Sequence, residues 1–169
     1  MIEKADLLIQ ETIGPLAFDE NFLSTLLDAK KRFLKKLAKI IPEKVYLYGA
    51  LATRSKKLLS KPYLLHSIES KNAKKDRVDL RKTFRAEKSG KLGGILVWPK
   101  VLWGKGLKTD ASPLQQPTHW GQTLLRVPTR NLRKRNSVTF TLKIFPDSQN
   151  PKEKTQVLWK SMVRRAGEK

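Results

Sequence analysis

The chain has 169 residues and carries 36 Lys and Arg against 15 Asp and Glu, a formal net charge of +21. It has no cysteine, which excludes disulfides, thiolate metal sites and thiol nucleophiles. No apolar run approaches the ~20 residues that span a membrane, and residues 1–12 lack the layout of a signal or transit peptide. The charge excess favours a polyanionic partner, and the length predicts a single domain over residues 1–169.

The N-terminal segment is acidic and is predicted to be helical. Residues 1–28 carry six acidic residues and one basic residue, so the positive charge begins near Lys30. A short helix is expected over residues 1–12, before Gly14 and Pro15 stop it. The acidic segment either folds back on the basic remainder of the chain or contacts other protein subunits, and the alternative is an ordinary solvated start.

The longest predicted helix covers residues 20–40. Asp19 is its predicted N-cap, apolar residues recur at helical spacing from Leu23 to Ile41, and Pro42 ends it. Basic side chains lie away from this apolar stripe and form a face that contacts nucleic acid, stays solvated, or sits on an anionic membrane. The predicted basic face consists of Lys31, Arg32, Lys35, Lys36 and Lys39.

The middle of the chain is the most basic part. A short strand is predicted over residues 44–50, and residues 54–91 are then rich in Lys and Arg and poor in apolar residues. Helical pieces are expected near 56–67 and 76–88. We predict a basic arm or loop that becomes ordered along nucleic acid, and the alternative is a disordered linker. Its predicted contact residues are Arg54, Lys56, Lys57, Lys74, Lys75, Arg77, Arg81, Lys82 and Arg85.

Strands are predicted in the C-terminal half, over residues 93–98, 122–127 and 138–145. The last of these has the clearest alternation of apolar and polar residues. The second and third are expected to pair as a hairpin with a long basic tip over residues 129–137. That tip either binds phosphates through its arginine forks or is a solvated turn. Its cations are Arg130, Arg133, Lys134 and Arg135.

The final element is predicted to be a helix, because Asn150, Pro151 and Glu153 form a helix start signal. The fold class predicted from this order is α+β, with N-terminal helices, a basic irregular middle, a small antiparallel sheet with a long basic hairpin tip, and a C-terminal helix. The parts of the single domain are a helical head (1–42), a basic arm (54–91) and a strand-rich core with the terminal helix (92–169).

Two tryptophans lie among basic residues and are candidates for stacking on nucleic-acid bases. Trp103 and Trp120 are close in sequence to Lys105 and Lys108, which are predicted to contact nucleic acid as well. Bases stack on such rings. Packing in the core is the alternative for both tryptophans.

These patterns predict an RNA-binding structural subunit of a large ribonucleoprotein complex, ribosome-like or CRISPR-effector-like, that contacts the phosphate backbone electrostatically. The alternatives are a sequence-tolerant DNA-binding protein and a metal-independent nuclease that uses His66 or His119 as a general base. No catalytic residue, metal or cofactor is predicted, and the chain is not expected to be an enzyme. The expected partners are nucleic acid, RNA favoured over DNA, and other subunits of the same particle, but no membrane. The expected location is cytoplasmic, in a bacterial, phage-encoded or organellar setting, and not secreted.

Overall fold

The computed structural model describes residues 3–150 and 155–166, and most of that part of the chain is β-strand. The described residues contain ten strands, one α-helix and one short 3-10 turn at Ser70–Asn72. The helix is α1, Phe22–Arg32. The strands are β1 (Ala5–Ile9), β2 (Leu34–Ile41), β3 (Lys44–Ala52), β4 (Tyr63–Glu69), β5 (Val78–Arg85), β6 (Gly90–Gly104), β7 (Leu107–Asp110), β8 (Thr123–Leu132), β9 (Ser137–Pro146) and β10 (Thr155–Arg164).

The N-terminal part of the chain folds as a β-α-β unit. Strands β1 and β2 form a parallel two-stranded sheet, and α1 connects them. The helix carries basic residues in its last turn, where they suit the negative end of the helix dipole. This unit, residues 5–41, is called the head below. Its strands expose apolar side chains, since Leu7, Ile9 and Leu37 are 46%, 66% and 86% exposed.

The larger of the two remaining sheets is antiparallel and built around β6. Its strand order is β4-β3-β6-β7, and β8 also pairs with β6. Strand β6 borders β3 along one side and β8 and then β7 along the other. At the β6–β8 pairing, a Cβ added to Gly94 would lie 2.5 Å from the carbonyl oxygen of Leu125. The close approach of these two backbones therefore requires glycine at this position.

The smaller sheet has the order β10-β9-β5 and packs face to face on the larger one. The two sheets meet at two junctions, β4 against β5 and β8 against β10. At the first, the ring of Tyr63 contacts the ring of Phe84 edge-on, with centroids 5.3 Å apart. At the second, Nε1 of Trp159 donates a 2.8 Å hydrogen bond to the carbonyl oxygen of Arg126. Strands β3 to β10 are called the sandwich below.

The predicted α+β class is wrong, because the described residues form a mostly β structure with a single helix. Residues 5–9 form β1, where the first helix is predicted. The predicted helix over 20–40 is real only as α1, and residues 34–41 form β2 instead. In β2, Leu34 is buried while Leu37 is 86% exposed, so the apolar residues of the predicted helical stripe fall on both faces of the strand.

The predicted N-cap of the long helix and the predicted C-terminal helix also differ from the structure. The N-cap of α1 is Asn21, in a left-handed conformation and with no side-chain capping bond, and not Asp19. Residues 155–164 form β10 and not a C-terminal helix. The predicted helix start at Pro151 and Glu153 lies outside the described residues.

The predicted irregular arm over residues 54–91 is wrong as well. This stretch contains β4, the 3-10 turn and β5, and the helical pieces predicted near 56–67 and 76–88 are not found there. In β5, Val78, Leu80 and Phe84 are buried while the residues between them are mostly exposed. That period of two buries one face of the strand against the larger sheet, which stabilises it despite the surrounding charge.

The predicted hairpin does not form, although its strands exist. Strand β8 pairs with β6, whereas β9 pairs with β5 and β10, so the two strands belong to different sheets. The long basic tip is reduced to a short turn around residues 133–136. The predicted strands over 44–50, 93–98 and 138–145 are confirmed within β3, β6 and β9. The described residues include no helix that is long and apolar enough to cross a membrane.

Candidate functional site

A carboxylate stands at the carboxyl end of the parallel strand β1. The backbone N–H of Gln10 donates to the carbonyl oxygen of Ile41, which continues the pairing with β2 by one residue. The buried side chain of Gln10 donates through Nε2 to the Thr12 hydroxyl (2.8 Å) and to the Phe22 carbonyl oxygen (2.9 Å). These bonds fix the backbone on both sides of Glu11 and leave its exposed side chain to project from the sheet edge. Ligands of open parallel sheets bind at this edge.

The loop that follows Glu11 is packed firmly against the protein. Leu16, Ala17 and Phe18 are buried, and the Leu16 N–H donates a 3.0 Å hydrogen bond to the carboxylate of Asp19. That carboxylate fills the space beside Gly14, where an added Cβ would lie 2.3 Å from it. Burial raises the pKa of Asp19 above its ordinary value of 3.8. The loop is therefore a stable support for the Glu11 end of β1.

A second loop, between β7 and β8, brings a histidine to Glu11. Nε2 of His119 lies 3.5 Å from Oε1 of Glu11, and both side chains are more than half exposed. The loop is tied down by the N–H of Gly121, which donates to the Thr118 carbonyl oxygen, and by Nε2 of Gln122, which donates to the Ala111 carbonyl oxygen. The fold thus brings the imidazole and the carboxylate within contact distance at one exposed place.

Two stacked indoles lie behind this histidine. The His119 ring is 4.5 Å from the ring of Trp120, and Trp120 stacks on Trp103 with centroids 6.1 Å apart and planes 22° apart. Nε1 of Trp103 donates a 2.9 Å hydrogen bond to the Thr109 hydroxyl, which orients the stack. Glu11, His119, Trp120 and Trp103 are together called the Glu11 site.

Two buried polar atoms next to this site have no hydrogen-bond partner among the described residues. They are Oε1 of Gln10 and Oγ1 of Thr118, which adjoin Glu11 and His119 in sequence. Buried polar atoms are nearly always paired in folded proteins, and each exception calls for an explanation such as strain, a bound water or ion, or a functional role. At the site itself, an exposed carboxylate beside an aromatic stack suits a cationic group that carries several N–H donors.

Sequence reasoning missed Glu11, because it treated that residue only as part of an acidic surface. The two halves of the site are far apart in the chain, and only the fold brings Glu11 to His119. A local signal was present, because Thr118, His119 and Trp120 place a histidine and an indole next to each other in the β7–β8 loop. Trp120 is 7% exposed and packs on Trp103, so at this residue core packing accompanies any contact with a ligand.

The predicted nucleic-acid contact residues are spread over several faces. All are exposed except Lys82, which is partly buried and lies with Nζ 5.8 Å from the centroid of the Tyr63 ring. The predicted basic helix face is wrong as a unit, because α1 ends at Arg32 and its last three members lie on β2. Nucleic-acid contact through these residues remains a prediction. By location they are Lys31 and Arg32 on α1, Lys35, Lys36 and Lys39 on β2, Arg54, Lys56 and Lys57 after β3, Lys74, Lys75 and Arg77 before β5, Arg81, Lys82 and Arg85 on β5, Lys105 and Lys108 around the β6–β7 turn, Arg130 on β8, and Arg133, Lys134 and Arg135 in the turn after it.

The other histidine lies apart from Glu11, on β4. Its ring meets the ring of Phe18 edge-on, with centroids 5.8 Å apart. Burial lowers the pKa of His66 below its ordinary value of 6.5. The histidine therefore joins the loop of the head to the sandwich as a packed, neutral ring.

No family model matches the sequence, and no curated protein matches it. Solved structures do match it. A chain of the Trypanosoma brucei PRMT1 enzyme-prozyme heterotetrameric complex with AdoHcy superposes on it with a TM-score of 0.75. The fold is similar to that of this methyltransferase chain. The superposition covers 96% of this chain and 69% of that one, at 16% identity.

This likeness corrects the predicted function. The chain folds like part of a methyltransferase complex, which overturns the prediction of an RNA-binding structural subunit of a ribonucleoprotein. The alternatives of a DNA-binding protein and a nuclease fall with it, and so does the prediction that the chain is not an enzyme. Net charge describes the surface potential of a protein and not its fold, so it could not identify this architecture.

Proposed function

We propose that the chain is the substrate-binding part of a methyltransferase that acts on arginine side chains, and that Glu11 receives the substrate guanidinium. One observation carries this proposal. In a fold similar to a chain of the PRMT1 complex, a carboxylate stands at the carboxyl end of the parallel strand pair, 3.5 Å from a histidine that lies against two stacked indoles.

The chemistry of guanidinium recognition supports this role. A guanidinium presents five N–H donors in a planar fork, which a carboxylate accepts in pairs, and its flat face stacks on aromatic rings. Glu11 supplies the carboxylate, and its side chain is more than half exposed. His119 would position the carboxylate and does not itself need to exchange a proton. Glu11 belongs to the segment of residues 1–28, which carries six acidic residues and one basic residue in an otherwise basic chain.

The described residues do not fit the methyl donor S-adenosylmethionine. Nucleotide-type ligands of parallel sheets bind at a glycine-rich turn between a strand and a helix. Here β1 is followed by Gln10, Glu11 and Thr12, and the space beside the single glycine of the loop, Gly14, is filled by the carboxylate of Asp19. We therefore infer that the methyl donor is held by a part of the enzyme outside the described residues, and we assign the chain binding and orientation of the substrate.

The head is the expected junction with that part of the enzyme. Parallel sheets normally have several strands and are covered on both faces, whereas β1 and β2 form an isolated pair with Leu7, Ile9 and Leu37 exposed. A methyl-donor-binding subunit that added strands to this pair would bury these side chains and bring its ligand to the sheet edge that carries Glu11. This partner takes the place of the particle subunits expected at the acidic N-terminal segment.

Titration of the full chain with the peptide Gly-Gly-Arg-Gly-Gly, followed by NMR, tests the Glu11 site. We expect signals of the His119 and Trp120 rings to shift, and the lysine peptide of the same length to bind more weakly because an ammonium cannot bind a carboxylate in two-pronged fashion. Glu11→Gln removes the charge and keeps the shape. It should weaken arginine binding by about 10-fold or more, the usual effect of losing a charged hydrogen bond.

The matched control is Glu3→Gln, which makes the same change in charge on the same segment at another exposed position. It should leave arginine binding within about 2-fold of the original, a difference of well under 1 kcal/mol. Equal binding by Glu11→Gln and the original chain, or equal affinity for the arginine and lysine peptides, would overturn the proposal.

A further inference from the structure

A second cluster of charged side chains lies on the outer face of the smaller sheet, at the end of the sheet where β5 and β10 finish. The register places Arg85 of β5, Ser137 of β9 and Arg164 of β10 directly opposite one another. The next row inward on the same face contains Thr83 and Thr139, whose hydroxyls are 3.1 Å apart. Side chains at directly opposite positions lie ~5 Å apart, so the two arginines flank a strip of three hydroxyls.

A third arginine is held over this strip by the turn between β8 and β9. The N–H of Arg135 donates to the Ala86 carbonyl oxygen (2.8 Å), and the N–H of Ala86 donates to the Asn136 carbonyl oxygen (2.9 Å). The buried side chain of Asn136 accepts a 2.8 Å hydrogen bond from the N–H of Arg133. Arg135 has a φ of 75°, in the left-handed region that a residue other than glycine seldom adopts. These bonds fix the turn next to the end of β5.

The three arginines open on one shared cavity of about 460 Å³. It is lined by Arg85, Arg135, Arg164 and Arg165, the three hydroxyl residues and Ala166, and no carboxylate lines it among the described residues. Within residues 3–150 and 155–166, none of Arg85, Arg135 and Arg164 takes part in an ion pair. The like charges of Arg85, Arg135 and Arg164 around one cavity repel one another, and an anion with several acceptor oxygens would relieve that repulsion.

We propose that this cavity binds a phosphate monoester, carried by a phosphorylated side chain of a partner protein. A phosphate monoester carries nearly two charges and three acceptor oxygens, which matches guanidinium forks arranged around hydroxyl donors. Arginine clusters of this kind are a recurrent way to recognise phosphorylated residues. The site is independent of the Glu11 site, and either can hold if the other fails.

The shape of the charged surface favours a single phosphate over a nucleic-acid backbone. Beyond the cavity on the same face, the next row carries Arg81 and Lys160. The row after that contains Asp79 in an ion pair with Lys143 (3.3 Å) and the exposed Leu158. The basic surface therefore ends at the second row of residues beyond the cavity. A polymer of phosphates needs a continuous basic groove.

Binding of N-acetyl-phosphoserine amide to the full chain, measured by NMR titration, tests the proposal. We expect saturable shifts of the Arg85, Ser137 and Arg164 signals, competition by inorganic phosphate, and no binding of the non-phosphorylated compound. Arg85→Gln and Arg135→Gln should each weaken binding by about 10-fold or more, because each removes a charged hydrogen bond. Both side chains are exposed, so the variants are expected to fold.

The matched control is Arg81→Gln, which removes one arginine from the same strand and face outside the cavity. It should change phosphoserine binding by less than about 3-fold, the effect of one screened surface charge. An equal loss in Arg81→Gln and Arg85→Gln would show a diffuse charge effect and overturn the site. A single-stranded oligonucleotide that binds more tightly than the phosphoserine compound, with the same dependence on Arg85 and Arg135, would assign the cavity to nucleic acid and overturn the proposed occupant.

Discussion

The head and the sandwich satisfy their backbone and apolar groups in opposite ways. Every strand pair of the sandwich is antiparallel, and its two sheets cover each other's inner faces. The head has a single parallel pair, whose strands expose apolar side chains and leave an outer backbone edge unpaired within the described residues. The head shares buried side chains of α1 with the common core, but unlike the sandwich it carries a strand pair with exposed apolar side chains, and it contributes Glu11 to the Glu11 site.

The largest effect should come from the sandwich core. Phe140 is fully buried and its ring lies 6.3 Å from that of Phe84, so Phe140→Ala leaves a cavity between the sheets and should cost about 3–5 kcal/mol of unfolding free energy. Leu37→Ala in the head, at a side chain that is 86% exposed, should change it by less than about 0.5 kcal/mol. Urea unfolding of the full chain measures both. A similar loss for the two variants would contradict the difference between the regions.

Two glycines, one in each region, should show the same difference with smaller losses of stability. Gly94→Ala in the sandwich drives a Cβ against the backbone carbonyl of Leu125, which cannot move without disturbing the β6–β8 pairing. We expect a loss of about 1–3 kcal/mol. Gly14→Ala in the head meets only the side-chain carboxylate of Asp19, which can turn away at the cost of its bond to Leu16. That loss should be about 1 kcal/mol. Thermal unfolding would rank them, and a larger effect for Gly14→Ala is the contrary result.

The smallest predicted effect concerns the contact between the two regions and depends on pH. Burial lowers the pKa of His66, so the folded state favours the neutral ring that packs on Phe18. The unfolded chain binds the proton more readily, and stability is therefore complete above pH 6.5 and falls as the pH drops through and below that value. His66→Phe keeps a packed ring and removes this dependence. Urea midpoints at pH 7.5 and 5.0 should differ less in the variant than in the original chain, and an unchanged difference would argue against this role of His66.

The sandwich strands that could be predicted are those whose pattern of apolar and polar residues fits a strand and not a helix. Residues 138–145 alternate strictly, and 93–98 form a short apolar run next to Pro99, so both read as strands and are strands. Residues 34–41 continue a helical stripe whose members Leu34 and Leu37 lie on opposite faces of a strand, so their pattern did not indicate the pairing with β1. The hairpin failed for a similar reason, because sequence adjacency favours pairing of β8 and β9, while the length of β6 gives β8 another partner.

The candidate site was less accessible to sequence reasoning than the strands. Glu11 and His119 each lie in a loop with no motif of its own, and their meeting depends on how the head docks against the β7–β8 loop. Part of the arginine cavity could be predicted from the sequence. Arg85 and Arg135 are among the predicted phosphate contacts, although they lie in different predicted segments. Their convergence with Arg164 follows from the register of β5, β9 and β10, which no local pattern specifies.

The bond from Trp159 to the carbonyl of Arg126 gives the junction of β8 and β10 an optical signature. Its indole ring is 41% exposed although its N–H is bonded to the other sheet, whereas Trp98 and Trp120 are buried. In a chain that keeps Trp159 and carries phenylalanine at the other three tryptophans, fluorescence emission would therefore report separation of the two sheets at one defined place. Quenching by iodide would then distinguish local opening of this junction from cooperative unfolding of the whole sandwich.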